Sequence, residues 1–166
     1  MIEHEDKHPF TECATFADDI KATFGGFQNN WHFVNQPYLD EPDTTVEDFD
    51  FHPPAVNVVD SLHDMHAFLK HEVDATTSTY IAQIAEIFPE EADQRSFALR
   101  MMIHYVGDIH QPLHSVAEVD SHYPHGDMGG NLHKFDDTTG EGVTNLHSVW
   151  DSVIYEFTGY ETLVST

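Results

Sequence analysis

Hydrophobic residues recur three or four positions apart in several stretches of the chain, the spacing that places side chains on one face of an α-helix. The clearest stretch, residues 55–71, has apolar positions Val58, Val59, Leu62, Met65, Phe68 and Leu69. Periodicity and flanking residues predict four further helices, over residues 10–24, 78–88, 90–109 and 145–157. The pattern therefore predicts an all-α fold, with residues 1–166 forming a single domain.

Glycine and proline mark the expected breaks between these helices. The first helix is predicted to begin with a cap near Thr11 and to end at Gly25 and Gly26. Residues 36–54 contain four prolines among many acidic residues and are predicted to form a loop. Residues 118–144 are rich in glycine, aspartate and histidine, which indicates a second long loop with a short hairpin around HKFDDTTGEG.

The charge of the chain is strongly negative, with 30 acidic residues against 6 basic residues and a formal net charge of −24. A protein that binds duplex nucleic acid passively needs a basic surface, so this class is excluded. One explanation of the acidic excess is a solvated surface that keeps the protein soluble. The other is a set of carboxylates that hold divalent cations, in which case a phosphate-bearing substrate is met by metal rather than by lysine.

The composition also narrows the kind of metal site. The sequence has one cysteine, Cys13, which excludes an internal disulfide and a cysteine-based zinc site. It has 14 histidines, and imidazole together with carboxylate suits zinc. No apolar run approaches the roughly 18 residues of a membrane span, so we expect no stable membrane association.

Two His-x-x-x-Asp pairs lie within predicted apolar helices. His104 and Asp108 belong to the segment HYVGDIHQPLH, and His147 and Asp151 belong to NLHSVWD. Residues four apart lie on one helix face, so each pair can bind a metal ion. A hydrogen-bonded His–Asp pair packed against the core is the alternative for both, because buried charge must be paired.

Other candidate ligands carry weaker signals. His133 and Asp137 have the same spacing but lie in a polar loop, where a solvated pair is the favoured interpretation. His114 follows a proline turn and can face the same cavity as His104. His32 lies between two aromatic residues, and taken alone this position favours a packed core histidine over a ligand. Asp18 is adjacent to Asp19 on a helix, so at most one of the two faces inward.

Five segments of the chain resemble the S-one/P-one family of zinc-dependent single-strand nucleases. In chain order they are FADDIK, NWHFVNQP, HYVGDIHQPLH, GDMGGN and NLHSVWDS. The family includes extracellular nucleases of fungi and plants, and bacterial zinc phospholipase C is a distant relative. The resemblance implies an all-α fold with three zinc ions at the bottom of a cleft.

The resemblance implies that seven side chains hold zinc. The implied ligands of the first zinc are Asp18, His32 and His104. Asp108 matches the carboxylate that bridges the first and third zinc ions, and with Asp18 it is implied in catalysis. The implied ligands of the second zinc are His114, His147 and Asp151.

The resemblance also assigns residues to substrate. Phe33 and Asn35 match positions that stack on and hydrogen-bond a nucleobase, and Asn131 lies where a family loop approaches the site. Lys21, which is also implied in catalysis, stands where many members have an arginine near the catalytic aspartate. It keeps the positive charge but lacks the planar fork that holds phosphate.

The sequence contains only part of the ligand set that the resemblance implies for the third zinc. In the family it also takes the mature N-terminal tryptophan and a histidine a few residues later, well before the FADDIK segment. These ligands are expected to be missing here unless His4 or His8 substitutes. We interpret the sequence as a fragment or incomplete gene model, since it starts only 17 residues before Asp18 and stops just after the last predicted helix, whereas the family usually adds further C-terminal helices.

The resemblance implies hydrolysis of single-stranded DNA or RNA to 5′-phosphorylated products, with a zinc-activated hydroxide as nucleophile. It further implies a secreted or lysosomal or vacuolar protein, which we expect to be a monomer. Three alternatives remain open: a phospholipase C-like lipid phosphodiesterase, a catalytically impaired zinc-binding remnant, and a structural helical bundle with core histidines. WHFVN and the aspartate that ends NLHSVWD favour the nuclease over the phospholipase.

Overall fold

A computed structural model describes residues 9–136 and 143–156 of the chain. Seven α-helices lie within these residues: α1 Pro9–Glu12, α2 Phe16–Lys21, α3 Val58–Leu69, α4 Thr79–Ile87, α5 Glu91–Asp108, α6 Pro112–Ser115 and α7 Leu146–Glu156. The prediction of a mostly helical fold is confirmed. No helix among the described residues is both long enough and apolar enough to cross a bilayer.

Local signals determine where the long helices begin. Asn57 caps α3, since its Oδ1 accepts hydrogen bonds from the backbone N–H groups of Val59 and Asp60, each at 3.0 Å. Ser78 caps α4 in the same way, accepting from the N–H of Ile81 at 3.1 Å. The helices predicted over residues 55–71, 78–88, 90–109 and 145–157 are found as α3, α4, α5 and α7, with ends within three residues of the prediction.

The N-terminal region differs from the single helix predicted over residues 10–24. That stretch is divided between α1 and α2, and a 3₁₀ helix, Gly25–His32, follows the glycine pair. A Cβ on Gly25 would lie 2.5 Å from Cγ1 of Ile20, so the chain can turn back against α2 this closely only with glycine. The predicted end of the helix at the glycine pair is wrong, because α2 already ends at Lys21 and the glycines instead start the 3₁₀ helix that carries His32.

Two short strands lie where the sequence indicated loops. β1, Gln36–Leu39, and β2, Val116–Val119, pair in parallel, with Gln36 opposite Val116. A parallel pair joins distant segments, so the local pattern of either strand does not reveal its partner. Lys134 and Asn145 form an isolated antiparallel bridge at the base of the predicted hairpin, whose central residues 137–142 lie outside the described residues.

The chain divides into two compact units. The first unit contains the described residues within 1–34 and 54–110, and the second contains those within 35–53 and 111–166. The core of the first unit is formed by α2 to α5 and the 3₁₀ helix and buries large side chains such as Trp31, Met65 and Tyr105. The second unit has a smaller core built on Phe51, Ala117 and Val119. The single domain predicted for residues 1–166 stays a prediction.

Candidate metal centre

Within residues 9–136 and 143–156, three groups of side chains bring potential metal ligands within 4.8 Å of one another. The first group is Asp18, His32 and His104; the second is His114, His147 and Asp151; the third is Glu118, Asp127 and His133. The first group lies within the first unit, and the other two lie within the second unit. The first and second groups consist of residues that the sequence predicts as ligands, whereas the third was not predicted.

The first group is assembled by three helices. Asp18 lies on α2, His32 ends the 3₁₀ helix and His104 lies on α5, one turn before Asp108. Oδ2 of Asp108 is 2.8 Å from Nδ1 of His32 and 3.2 Å from Nε2 of His104. The Asp18 carboxylate is 3.8 Å from the same His32 nitrogen and 3.7 Å from the same His104 nitrogen. The structure therefore brings all four predicted residues together.

The outer nitrogens of both imidazoles have oxygen partners. Nδ1 of His104 is 2.5 Å from the carbonyl oxygen of Ala14, and Nε2 of His32 is 2.5 Å from Oε1 of Gln28. A carbonyl oxygen can only accept a hydrogen bond, so Nδ1 of His104 carries a hydrogen. In a neutral ring, Nε2 of His104 is then the bare nitrogen, and it faces the carboxylates.

The inner atoms of the first group form a set of acceptors. Nδ1 of His32 and Nε2 of His104 are 3.2 Å apart, and both approach Oδ2 of Asp108. Lone pairs at these distances repel one another unless a proton or a metal cation lies among them. Two imidazole nitrogens with carboxylate oxygens are a donor set that suits zinc, so the residues present fit this ion.

The two imidazoles differ in their affinity for protons. Burial lowers the pKa of His32, and the hydrogen bond to Asp108 does not offset it. Burial also acts to lower the pKa of His104. The hydrogen bond that the protonated ring donates to Asp108 and the negative charge of Asp108 act in the opposite direction, with smaller contributions from Ala14 and Asp18. Together they outweigh burial, so the pKa of His104 is raised. Protonation therefore competes with metal binding more strongly at His104 than at His32.

Lys21 lies beside the first group. Its Nζ is 2.6 Å from Oδ1 of Asp18, three residues earlier on α2. Both side chains are partly exposed. The lysine that the sequence assigns to phosphate is thus held against one of the predicted ligands by a helical ion pair.

The second group lies on α6 and α7. The rings of His114 and His147 stack with centroids 4.9 Å apart and an interplanar angle of 19°. Asp151 approaches Nε2 of His147 to 3.5 Å and Nε2 of His114 to 3.9 Å. These contacts are long for hydrogen bonds, but they suit ligands of one ion at about 2.0 to 2.2 Å from each. Gln111 orients the carboxylate by donating to its Oδ1 at 3.0 Å.

The GDMGGN loop orients His147. Nδ1 of His147 is 2.7 Å from the carbonyl oxygen of Gly129, which leaves Nε2 to face Asp151. Gly129 has φ +61°, and a Cβ there would lie 2.2 Å from the carbonyl oxygen of Leu113. Only glycine therefore lets this carbonyl reach the ring. Asn131, which the sequence assigns to substrate, turns back to donate to the carbonyl of Met128 at 2.9 Å.

The third group uses its side chains differently. Asp127 is buried and accepts hydrogen bonds from the backbone N–H groups of Glu118 and Gly130, at 2.9 and 2.8 Å. Nε2 of His133 is 2.7 Å from Oε2 of Glu118 and 3.2 Å from Oδ2 of Asp127. No contact among the described residues fixes the tautomer of His133, so its Nε2 can donate a hydrogen bond directly to these carboxylates. Asp137, the sequence-predicted partner of His133, lies outside the described residues.

The remaining predicted residues are placed as follows. Phe33 is half-buried, and its carbonyl accepts from the N–H of Val58 at 3.1 Å. Asn35 begins the second unit with φ 49°, a left-handed conformation that asparagine tolerates. His4 and His8, the proposed substitutes at the third zinc, lie outside the described residues.

The chain is similar in sequence to proteins described as nucleases. A family model described as S1/P1 Nuclease matches residues 1–163. "Endonuclease 3" of Arabidopsis thaliana is 48% identical over 59 residues, which cover 36% of this chain and 17% of the relative. "Endonuclease 1" of the same plant is 32% identical over 95 residues, which cover 55% of this chain and 28% of the relative. The match thus spans less than a third of either relative.

Proposed function

The chain belongs to the S1/P1 nuclease family. We propose that it is a zinc-dependent phosphodiesterase acting on single-stranded DNA or RNA. Its products are nucleotides or oligonucleotides with a 5′-phosphate. The names of the two Arabidopsis relatives, both endonucleases, support hydrolysis of nucleic acid.

One observation carries the proposal: acceptor atoms of His32, His104 and Asp108 face one another at 2.8 to 3.2 Å. A divalent cation satisfies all of them at once, which core packing does not. An acidic nuclease with a formal charge of −24 needs such cations, because its carboxylates would otherwise repel phosphate.

Each predicted residue then has a distinct task. Asp18, His32, His104 and Asp108 hold zinc in the first unit, and His114, His147 and Asp151 hold it in the second unit. Bound zinc supplies hydroxide near neutral pH and neutralises charge on the phosphate. Asp108 accepts a hydrogen bond from the attacking water and orients it. Lys21, released from Asp18, binds a phosphate oxygen.

Selectivity for single strands follows from the base-binding residues. Phe33 stacks on a nucleobase, and Asn35 hydrogen-bonds its edge. A base must leave its stack to reach an aromatic ring, and base–aromatic stacking contributes about 1 to 3 kcal/mol. In a duplex that contribution is offset by the cost of unpairing, so single strands are cleaved preferentially. Asn131 lines the approach to the site.

The proposal includes the setting of the protein. A secreted or lysosomal or vacuolar location, a monomeric state and no stable membrane association agree with a degradative nuclease. Whether a third zinc binds depends on residues such as His4 and His8. Without it, the chain is a zinc-binding remnant rather than an enzyme.

The test combines metal content with turnover. The purified chain should contain zinc, and His147→Ala should lose about one zinc per chain, because one ion loses a ligand from a closed set. His63, exposed on α3 outside the three groups, provides the matched control His63→Ala. Unchanged zinc content in His147→Ala would refute the second site.

The substrate assay separates the alternatives. Single-stranded DNA, duplex DNA and phosphatidylcholine are offered to the zinc-loaded chain. Faster cleavage of the single strand supports the nuclease, and faster cleavage of the lipid supports the phospholipase-like alternative. Tight zinc binding with no hydrolysis of any substrate would identify a remnant.

A further inference from the structure

Gln28 is a buried polar residue on the 3₁₀ helix, one turn before His32. It is completely inaccessible to solvent. Its Oε1 lies 2.5 Å from Nε2 of His32 and accepts a hydrogen bond from the hydroxyl of Tyr105 at 2.6 Å. Its Nε2 donates to the backbone carbonyl of Ala17 at 2.8 Å. Every polar atom of the side chain therefore has a partner.

These contacts fix which nitrogen of His32 carries hydrogen. The carbonyl oxygen of Ala17 can only accept, so the Gln28 atom beside it must be the amide nitrogen. The Gln28 atom beside His32 is then the amide oxygen, which also can only accept. Nε2 of His32 must therefore be the protonated nitrogen. In a neutral ring this leaves Nδ1 bare, and Nδ1 faces Asp108 at 2.8 Å.

His104 and His147 rely on the main chain for the same task. His104 donates to the carbonyl of Ala14, and His147 donates to the carbonyl of Gly129. His32 instead donates to a side chain, so its orientation depends on one replaceable residue. Gln28 also contacts the residue before Asp18 and the residue after His104, and thus links the segments that carry all three ligands of the first group.

We propose that Gln28, supported by the Tyr105 hydroxyl, is a positioning residue that sets the Nε2–H tautomer of His32 and presents Nδ1 as the ligand atom. The consequence for zinc rests on the proposed function, but the tautomer itself does not. Burial keeps the Tyr105 hydroxyl protonated by raising its pKa far above the ordinary value, so this group remains a donor to Oε1.

The primary test is nitrogen NMR of the histidine-labelled full chain. Long-range proton–nitrogen correlation distinguishes protonated from bare ring nitrogens, and the His32 signal is assigned by its loss in His32→Asn. At about pH 8, above the ordinary histidine pKa, the protein should show hydrogen on Nε2 and none on Nδ1. A proton on Nδ1, in the metal-free or the zinc-loaded protein, would overturn the proposal.

Substitutions separate positioning from general stability. Gln28→Met removes both the acceptor and the donor, and it should shift His32 toward the Nδ1–H tautomer and weaken zinc binding by about 10- to 100-fold. Gln28→Glu keeps an acceptor for His32 and should restore the tautomer. Gln83→Met is the matched control, because Gln83 bonds the carbonyl of Thr79 on α4. It should change neither readout.

The outcomes distinguish this proposal from the proposed function. If Gln28→Met keeps the wild-type tautomer and zinc affinity, the positioning role is refuted while the nuclease proposal stands. If the tautomer shifts but the wild-type chain binds no zinc, the nuclease proposal fails alone. If Gln28→Met does not fold, Tyr105→Phe replaces it: loss of one hydroxyl should weaken zinc binding severalfold, and unchanged affinity would contradict the supporting role of Tyr105.

Discussion

The first and third groups contain the same kinds of side chain but use the imidazole in opposite ways. In the first group the outer nitrogen of each ring is hydrogen-bonded and the inner nitrogens converge on carboxylates. In the third group Nε2 of His133 lies 2.7 Å from Glu118, and no contact among the described residues holds the other ring nitrogen, so Nε2 can carry the hydrogen. A metal site is therefore identified by lone pairs that converge on one point, and not by the number of histidine and carboxylate side chains.

The state of the carboxylates reinforces this contrast. Asp127 is buried, and its two oxygens accept backbone hydrogen bonds that close the GDMGGN loop. Asp18 and Asp151 are half-exposed, and each lies 3.5 to 3.9 Å from two imidazole nitrogens. The third group therefore acts as a structural clamp, and its loop in turn supplies the Gly129 carbonyl that orients His147.

The largest effect is expected for His104→Ala. Loss of this imidazole should remove zinc from the first group and reduce hydrolysis of single-stranded DNA by about a thousandfold or more, roughly 4 kcal/mol of transition-state stabilisation. Steady-state kinetics with metal analysis provides the measurement, and His63→Ala is the control. Near wild-type turnover with zinc absent would remove the first group from the mechanism.

Acidification should also weaken zinc binding by the first group. His104 has a raised pKa, so as the pH falls it becomes protonated earlier than an ordinary histidine and loses its ligand lone pair. Zinc affinity of the first group should therefore be greatest at neutral pH and fall progressively through mildly acid pH. Zinc retained after dialysis against a range of pH values gives the profile. A rate of hydrolysis that still rises below about pH 4 would contradict this ligand set.

A smaller but structural effect is expected for Gly129→Ala. The φ of +61° and the 2.2 Å approach to the Leu113 carbonyl leave no room for a Cβ, so the loop must move. We expect a loss of about 2 to 4 kcal/mol in the free energy of unfolding, together with weaker zinc binding by the second group. Urea denaturation and zinc titration measure the two effects. Gly107→Ala is the control, because a Cβ there meets nothing within 4 Å.

The smallest effect on activity is expected for His133→Ala. Zinc content should not change, while the unfolding free energy should fall by about 1 to 2 kcal/mol because Glu118 and Asp127 lose a hydrogen-bond donor. Metal analysis and urea denaturation of the same preparation measure the zinc content and the free energy of unfolding. Loss of about one zinc per chain would mean that the third group is a metal site after all.

The sequence predicts what depends on local spacing. Helical periodicity located α3, α4, α5 and α7, and the four-residue spacing of His104 and Asp108 placed both on one face. β1 and β2 escaped prediction because each is four residues long and its partner is remote. The 3₁₀ helix escaped because a glycine pair indicates an end rather than a beginning.

Residues that act through another side chain were not predicted. Glutamine is not a residue type that usually binds metal in proteins. The partners of Gln28 lie at positions 17 and 105, so the residues next to it in the sequence give no sign of its role. Glu118 and Asp127 meet His133 only because the loop between them folds back. Such contacts depend on tertiary structure, which a one-dimensional pattern does not contain.

The parallel pairing of β1 with β2 has a consequence for how the chain acquires its structure. During synthesis β1 leaves the ribosome about 80 residues before the partner with which it pairs. Neighbouring helices such as α3 and α4 make contacts of short sequence separation and can associate earlier, whereas β1 must wait for β2. The first group also joins remote segments, since Ala14 lies 90 residues before His104. Both groups of predicted ligands are thus expected to assemble only after most of the chain has been synthesised.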